Sequence, residues 1–224
     1  MTCHLFTFKF YCQLFLSLGL LVYAGVTMAI EEPQYILLEK DENFELRLYE
    51  PKIIAEVLVQ GSASQASNKG FRLLADYIFG NNTVTANSNA NNTDNKATST
   101  GSTKISMTAP VVLESTQLTQ NNSLNKSEQT WLVHFVMPKK FTLESLPKPN
   151  NPKVNIQRIA EQKYAVIRFS GLAGQAKVVK KTQALKAWLD AKNLTAIGQP
   201  KLARYNPPWT LPFLRRNELM VEYK

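Results

Sequence analysis

Past the N-terminal segment this chain has one histidine, and a few acidic and phenolic side chains beside strand-like runs; these are the groups whose types suit chemistry. His134 sits in WLVHFVM, where its imidazole could ligate a metal or simply hydrogen-bond within a strand. Glu39, Glu45, Glu56 and Glu114 lie in or beside strand-like segments, and two of them meeting across a cleft would make an acid and base pair, with Tyr77 or Tyr205 as a phenolic partner. Glu45 alternates with apolar neighbours, the pattern of a solvent-facing residue. Met107, in KISMTAP, offers a thioether either to a ligand or to a core. Much other chemistry is excluded. Both cysteines, Cys3 and Cys12, fall in the first dozen residues, so no thiolate zinc site, iron–sulfur cluster, cysteine nucleophile or disulfide framework can be built downstream. With His4 and His134 alone, a multi-histidine metal site within one chain is excluded as well. The sequence has no P-loop, G-x-G-x-x-G, G-x-S-x-G or H-E-x-x-H motif, and a serine triad would have to use His134 as its base.

The 224 residues suffice for one sizeable core. Lys plus Arg is 26 against 17 Asp plus Glu, a net charge of +9, and Lys9 is the only charge in the first thirty residues. The body therefore keeps a large positive excess, which favours anionic partners. Lys177, Lys180, Lys181, Lys186 and Lys192 would decorate one helix, with Trp188 as its single aromatic, so interleaved cations and aromatics for nucleic acid are missing and no nucleic-acid partner is expected. Residues 10–30 carry no charge and end in small residues around Ala24, Gly25 and Ala29. They read as a secretory signal, residues 1–29, cleaved near Ala29, with an uncleaved anchor as the alternative. Export to a bacterial periplasm or the medium, and no stable membrane span after cleavage, are the expectations.

Residues 30–224 are read as one domain. Positions 81–103 hold sixteen Asn, Ser or Thr among 23 residues, too little apolar surface to offset ordering, and predict a disordered insertion. Residues 115–130 predict a long hairpin connection. Between the loops the periodicity is two: Phe44, Leu46 and Leu48 alternate with Glu45 and Arg47, and Trp131, Val133, Phe135 and Met137 with Leu132, His134 and Val136. Strands are predicted there and at 36–39, 53–59, 105–113, 154–159, 165–170, 201–205 and 218–223. Two runs fit period 3.6, namely 64–79, with Phe71, Leu74, Ala75 and Ile78 on one face, and 175–192, with Val178, Leu185, Trp188 and Leu189.

Each predicted helix follows a strand ending in glycine, Gly61 or Gly171, and each opens with A-x-Q-A, at 63–66 and 173–176. Two halves of strand, strand, helix, strand sharing one sheet would give an α+β domain: two helices on a strongly curved, mostly antiparallel sheet or barrel, with a ligand cleft between helix and sheet.

The strings FELRLYEPKIIAEV (44–57), GFRLLADYIFGNN (70–82), KISMTAPVVLE (104–114), VHFVMPKKF (133–141), LPKPNNPKVNI (146–156), YAVIRFSG (164–171) and RYNPPWTLPFLRRNELMV (204–221) resemble the SOUL haem-binding protein family, in order and across nearly the whole body. The resemblance implies a distorted antiparallel β-barrel flanked by two helices and built from two pseudo-repeats, similar to the effector-binding domains of multidrug-responsive regulators. It implies a protein that holds haem or another tetrapyrrole in an apolar cleft beside the first helix. With the absence of catalytic motifs a monomeric, non-catalytic carrier is expected, binding non-covalently and, given the departures below, with modest affinity. On this sequence Phe71, Leu74 and Ile78 would form the apolar wall, and Lys69 and Arg72 would meet the propionates. Asn68, Asp76 and Thr210 depart from the basic residues of haem-binding members, and Asp76 would repel a propionate. A hydrolase or isomerase of small amphipathic molecules using a cleft Glu and Tyr, and an envelope interaction module using the lysine-rich helix, are the alternatives.

Overall fold

Alternating runs become strands here because one of their faces is covered, and the two runs of period 3.6 become the helices that cover it. The computed structural model describes residues 30–84, 101–116 and 129–224. The expected signal segment 1–29, residues 85–100 of the Asn-rich stretch and residues 117–128 of the second polar loop lie outside the described residues. In chain order the elements are β1 (Tyr35–Asp41), β2 (Phe44–Tyr49), β3 (Lys52–Gln60), α1 (Ala63–Ile78), β4 (Asn82–Thr83), β5 (Val111–Ser115), β6 (Thr130–Val136), β7 (Lys148–Pro149), β8 (Asn155–Ile159), β9 (Gln162–Phe169), α2 (Gln175–Ala191), β10 (Ala196–Arg204) and β11 (Asn217–Tyr223), with a 3-10 turn at Pro212–Leu214. The strand expected from residue 105 starts only at Val111, because Pro110 has no N–H to give to a ladder.

Nine strands form one antiparallel sheet in the order β1-β2-β9-β11-β10-β5-β6-β3-β8, and β4 pairs with β7 apart from it. The fold is α+β, a large antiparallel sheet with two helices. The expected barrel is corrected: the sheet is open, since β1 occupies the free edge of β2 and β8 that of β3, and among the described residues no ladder joins the two ends. Only Glu50 and Pro51 separate β2 from β3, the second and eighth strands, so strong curvature brings the ends together. Each half of the sheet contains one strand from the other half's hairpin. β3, β5 and β6 take β8, and β9, β10 and β11 take β2.

The helices lie against one face of these halves. Ala55, Val57, Val59, Leu113, Val133 and Phe135 pack under α1 with Leu74, Tyr77 and Ile78. Leu46, Ala165, Ile167, Leu219 and Val221 pack under α2 with Leu185 and Leu189. α1 opens with a capping box in which the Gln65 N–H donates to the Ser62 hydroxyl (3.4 Å) and the Ser62 N–H to the Gln65 side chain (3.0 Å). Gly70 lets α1 settle onto β6, since a Cβ there would lie 2.6 Å from the Val133 side chain.

The ends of the 81–103 stretch are structured. Asn82, buried, donates to the carbonyls of Tyr77 (2.8 Å) and Thr103 (2.9 Å) and accepts from the Thr103 N–H (3.1 Å), while Val84 bridges Gly101. Among the described residues no helix is long and apolar enough to cross a membrane.

Candidate functional site

The five residues expected to line the ligand cleft do not share one surface. Leu74 and Ile78 are fully buried in the core between α1 and the sheet, because the stripe at period 3.6 is the one the helix spends on packing. Phe71, 37% exposed, stands at the margin of that stripe, its ring edge-on to Phe135 at 5.5 Å. Lys69 and Arg72 lie on the solvent side, with the Lys69 ammonium donating to the Gln60 carbonyl (3.4 Å). Asp76 accepts from the Asn81 amide (2.5 Å). Met107 is exposed and fills no core.

The β10–β11 loop adds surface that the periodicity could not reveal. Trp209 is 82% and Phe213 70% exposed, with Leu211 and Leu214 also open. The loop is braced from within: the Arg215 guanidinium donates to the carbonyls of Thr210 (Nε, 2.7 Å) and Pro208, and the Arg216 N–H donates to the Asn206 side chain (2.6 Å). Thr210 thus serves to brace the loop through its carbonyl. Arg204, at the root of this loop, donates to the Ser67 hydroxyl of α1 (3.1 Å). Burial, with Arg215 nearby, lowers its pKa, and among the described residues it makes no ion pair.

The face of the sheet away from the helices carries the second constellation. Arg47 and Glu218 are wholly buried and paired through two bonds, Nη1 to Oε2 (2.8 Å) and Nη2 to Oε1 (3.2 Å). Arg47 Nε also donates to Glu45 (2.7 Å), the Tyr205 hydroxyl donates to Glu218 (2.8 Å), and Arg216 bridges Glu218 (2.9 Å) and Glu32 (3.0 Å). Burial raises the Glu218 pKa, but the hydrogen bonds and charges of Arg47 and Arg216 outweigh it and hold the carboxyl ionised, below its ordinary value. Glu45, expected toward solvent, is buried because this face is itself enclosed, with Tyr35 stacked over Arg47 at 4.3 Å.

Beside this network lies a cavity of about 110 Å³, lined by Lys52, Glu56, Glu114, His134, Tyr164 and Lys201 among others. Lys201 pairs with Glu114 (3.2 Å) and reaches the Tyr164 hydroxyl (3.3 Å). Glu56 accepts from the amides of Asn155 (3.0 Å) and Gln157 (2.7 Å). His134 Nδ1 has no partner, and burial, with Lys201 and Lys52 nearby, pushes the imidazole pKa down to about 3. Two of the acid and base candidates, Glu56 and Glu114, thus share a cavity with His134 and Tyr205. Tyr77 does not join them, since its hydroxyl donates to the Pro147 carbonyl in the core (2.8 Å). A larger, open groove of about 320 Å³ runs past Glu50, Met137, Lys139 and Phe141 and shares Lys52 with the cavity.

Several solved structures share the fold. The EcmrR C-terminal domain is 9% identical with a TM-score of 0.54, over 81% of this chain and 96% of that one. A hydrolase encoded by lin2189 from Listeria innocua is 11% identical with a TM-score of 0.54, over 84% and 94% respectively. At such identities the likeness is one of fold alone. None of the curated proteins matches the chain in sequence. The family model described as "SOUL heme-binding protein" matches residues 30–222, nearly the whole of the sheet and both helices, and on that match the chain belongs to the SOUL heme-binding protein family.

Proposed function

We propose that the protein is a non-catalytic, exported haem or tetrapyrrole carrier, monomeric and without a nucleic-acid partner, active in a bacterial periplasm or the medium. The macrocycle rests on the open flank of α1 at Phe71, toward the apolar β10–β11 loop. The observation that carries this reading is the exposure of Phe71 on α1 and of Trp209 and Phe213 in the β10–β11 loop, whose root is tied to α1 through the Arg204–Ser67 bond. Leu74 and Ile78 hold the helix from beneath. Lys69, Arg72 and Arg204 are the cations for the propionates, each contact contributing about 1.5–3 kcal/mol. Neither the cavity nor the groove suits the ligand, since about 110 Å³ and 320 Å³ lie below or at the foot of the range for drug-sized molecules. His134 faces the opposite side of the sheet from α1, which leaves recognition to the macrocycle and its carboxylates.

An absorbance titration with hemin, and a fluorescence titration with metal-free protoporphyrin, test this. Saturable binding of both is expected, weakened about tenfold by Phe71→Ala or Trp209→Ala, a loss of ~1.4 kcal/mol. Binding of neither, or binding indifferent to both substitutions, overturns it.

A further inference from the structure

We infer that the cavity on the helix-free face is a separate binding site for a small monocarboxylate with an apolar body, its carboxylate paired with Lys52. The argument begins with charge. On this face Arg47 is matched by Glu45 and Glu218, Arg216 by Glu218 and Glu32, and Lys201 by Glu114, while Glu56 is occupied by two amides. Lys52 has no such match: among the described residues no carboxylate lies within ion-pair distance of its ammonium. Its Nζ instead stands 4.5 Å from the centre of the Tyr49 ring and 5.7 Å from that of Tyr164. Lys52 is half-buried where the cavity meets the open groove, and a cation partly stripped of water costs some stability unless an anion arrives. Burial, with Lys201 nearby, pulls its pKa down to about 8, the direction expected of an ammonium that has lost water without gaining a counter-ion.

Across the cavity stands His134, 7% exposed, which lines the same space and can report on its occupancy. The rest of the lining is apolar, including Ile54, Val112, Val136 and Met220. The volume, about 110 Å³, admits a body about the size of one aromatic ring. The preference for one negative charge is local to Lys52, since Lys201 is paired with Glu114 and Glu56 keeps its own charge elsewhere in the lining. A phosphate dianion would need a second cation, and His134 stays neutral far below physiological pH. The site is independent of the tetrapyrrole reading, since Phe71, Trp209 and Arg204 do not line it.

The probe is benzoate, added to the full chain and followed by calorimetry and by the imidazole resonances of His134. Neutral benzyl alcohol and cationic benzylamine serve as isosteres. One saturable benzoate site is expected, with displaced His134 signals and unmoved His4 signals, weaker binding of benzyl alcohol and none of benzylamine. Lys52→Met should weaken benzoate at least tenfold, Lys52→Arg should retain it, and Trp209→Ala should leave it unchanged. No saturation by benzoate, unmoved His134 signals, equal binding of benzylamine, or affinity undiminished in Lys52→Met would each overturn the proposal. The His134 readout needs no substitution and holds even where a variant does not fold. Hemin binding lost while benzoate binding persists, or the reverse, separates failure of one reading from failure of the other.

Discussion

The two halves of the sheet share an element order and differ in where each is tight. In the α1 half the helix is sunk into the sheet. It carries a capping box, gives up Gly70 to reach Val133, and buries Ala66, Leu74, Ala75, Tyr77 and Ile78. In the α2 half the helix starts at Gly174 with no side-chain cap and buries only Leu185 and Leu189 fully. On the opposite face the order reverses. Beneath the α2 half, Arg47, Glu45, Glu218, Arg216 and Tyr205 close into a satisfied network, whereas toward the α1 half lies a cavity lined from both halves, with the unmatched Lys52 and the His134 imidazole on its α1 side. Packing and polar satisfaction are thus divided unequally between the faces.

The largest expected break in this comparison comes from Glu218→Gln, which strips the counter-charge from Arg47 in the sealed network. A loss of about 3–5 kcal/mol in urea unfolding is expected. Glu56→Gln, on the open side with amide partners, should stay within about 1 kcal/mol; similar losses for the two would erase the distinction. Next is Gly70→Ala. The added Cβ must displace Val133, a cost of about 1–3 kcal/mol, while Gly174→Ala, with nothing within 4 Å of its Cβ, should remain within about 0.5 kcal/mol.

The last effect sharpens the comparison through pH. His134 in the fold titrates at about 3, below its unfolded value near 6.5, so between those values the unfolded chain binds a proton that the folded chain refuses. Its contribution is whole above about pH 6.5 and is lost as pH falls toward 3, with a limiting slope of about 1.4 kcal/mol per pH unit. His134→Gln should flatten urea-midpoint curves between pH 4.5 and 6.5. An unchanged slope would mean that the ring is protonated in place.

The elements were legible because both periodicities report one covered face, and the A-x-Q-A pairs mark where each helix is entered. What was hidden is what depends on distant partners. Glu45 looks solvent-facing until Arg47 is seen to be tied to Glu218, 171 residues away. Leu74 and Ile78 share a stripe with Phe71, but a stripe does not say which of its members reach solvent. Lys52 is one of many lysines, and its want of a counter-ion exists only once the sheet has curved around it. The open sheet was equally out of reach, because edge capping by β1 and β8 is a matter of pairing and not of local pattern.

The exchange of β2 and β8 between the halves has a consequence in time. Phe44–Tyr49 leaves the ribosome early, yet its partner inside its own half of the sheet, Gln162–Phe169, is more than a hundred residues away in the chain. At ordinary rates of synthesis the strand waits on the order of ten seconds, with Leu46 unburied and Arg47 unanswered. The α1 half waits in turn for Asn155–Ile159 to cover β3. Neither half can finish before the other has begun, so the nascent chain stays open until its last third has been made.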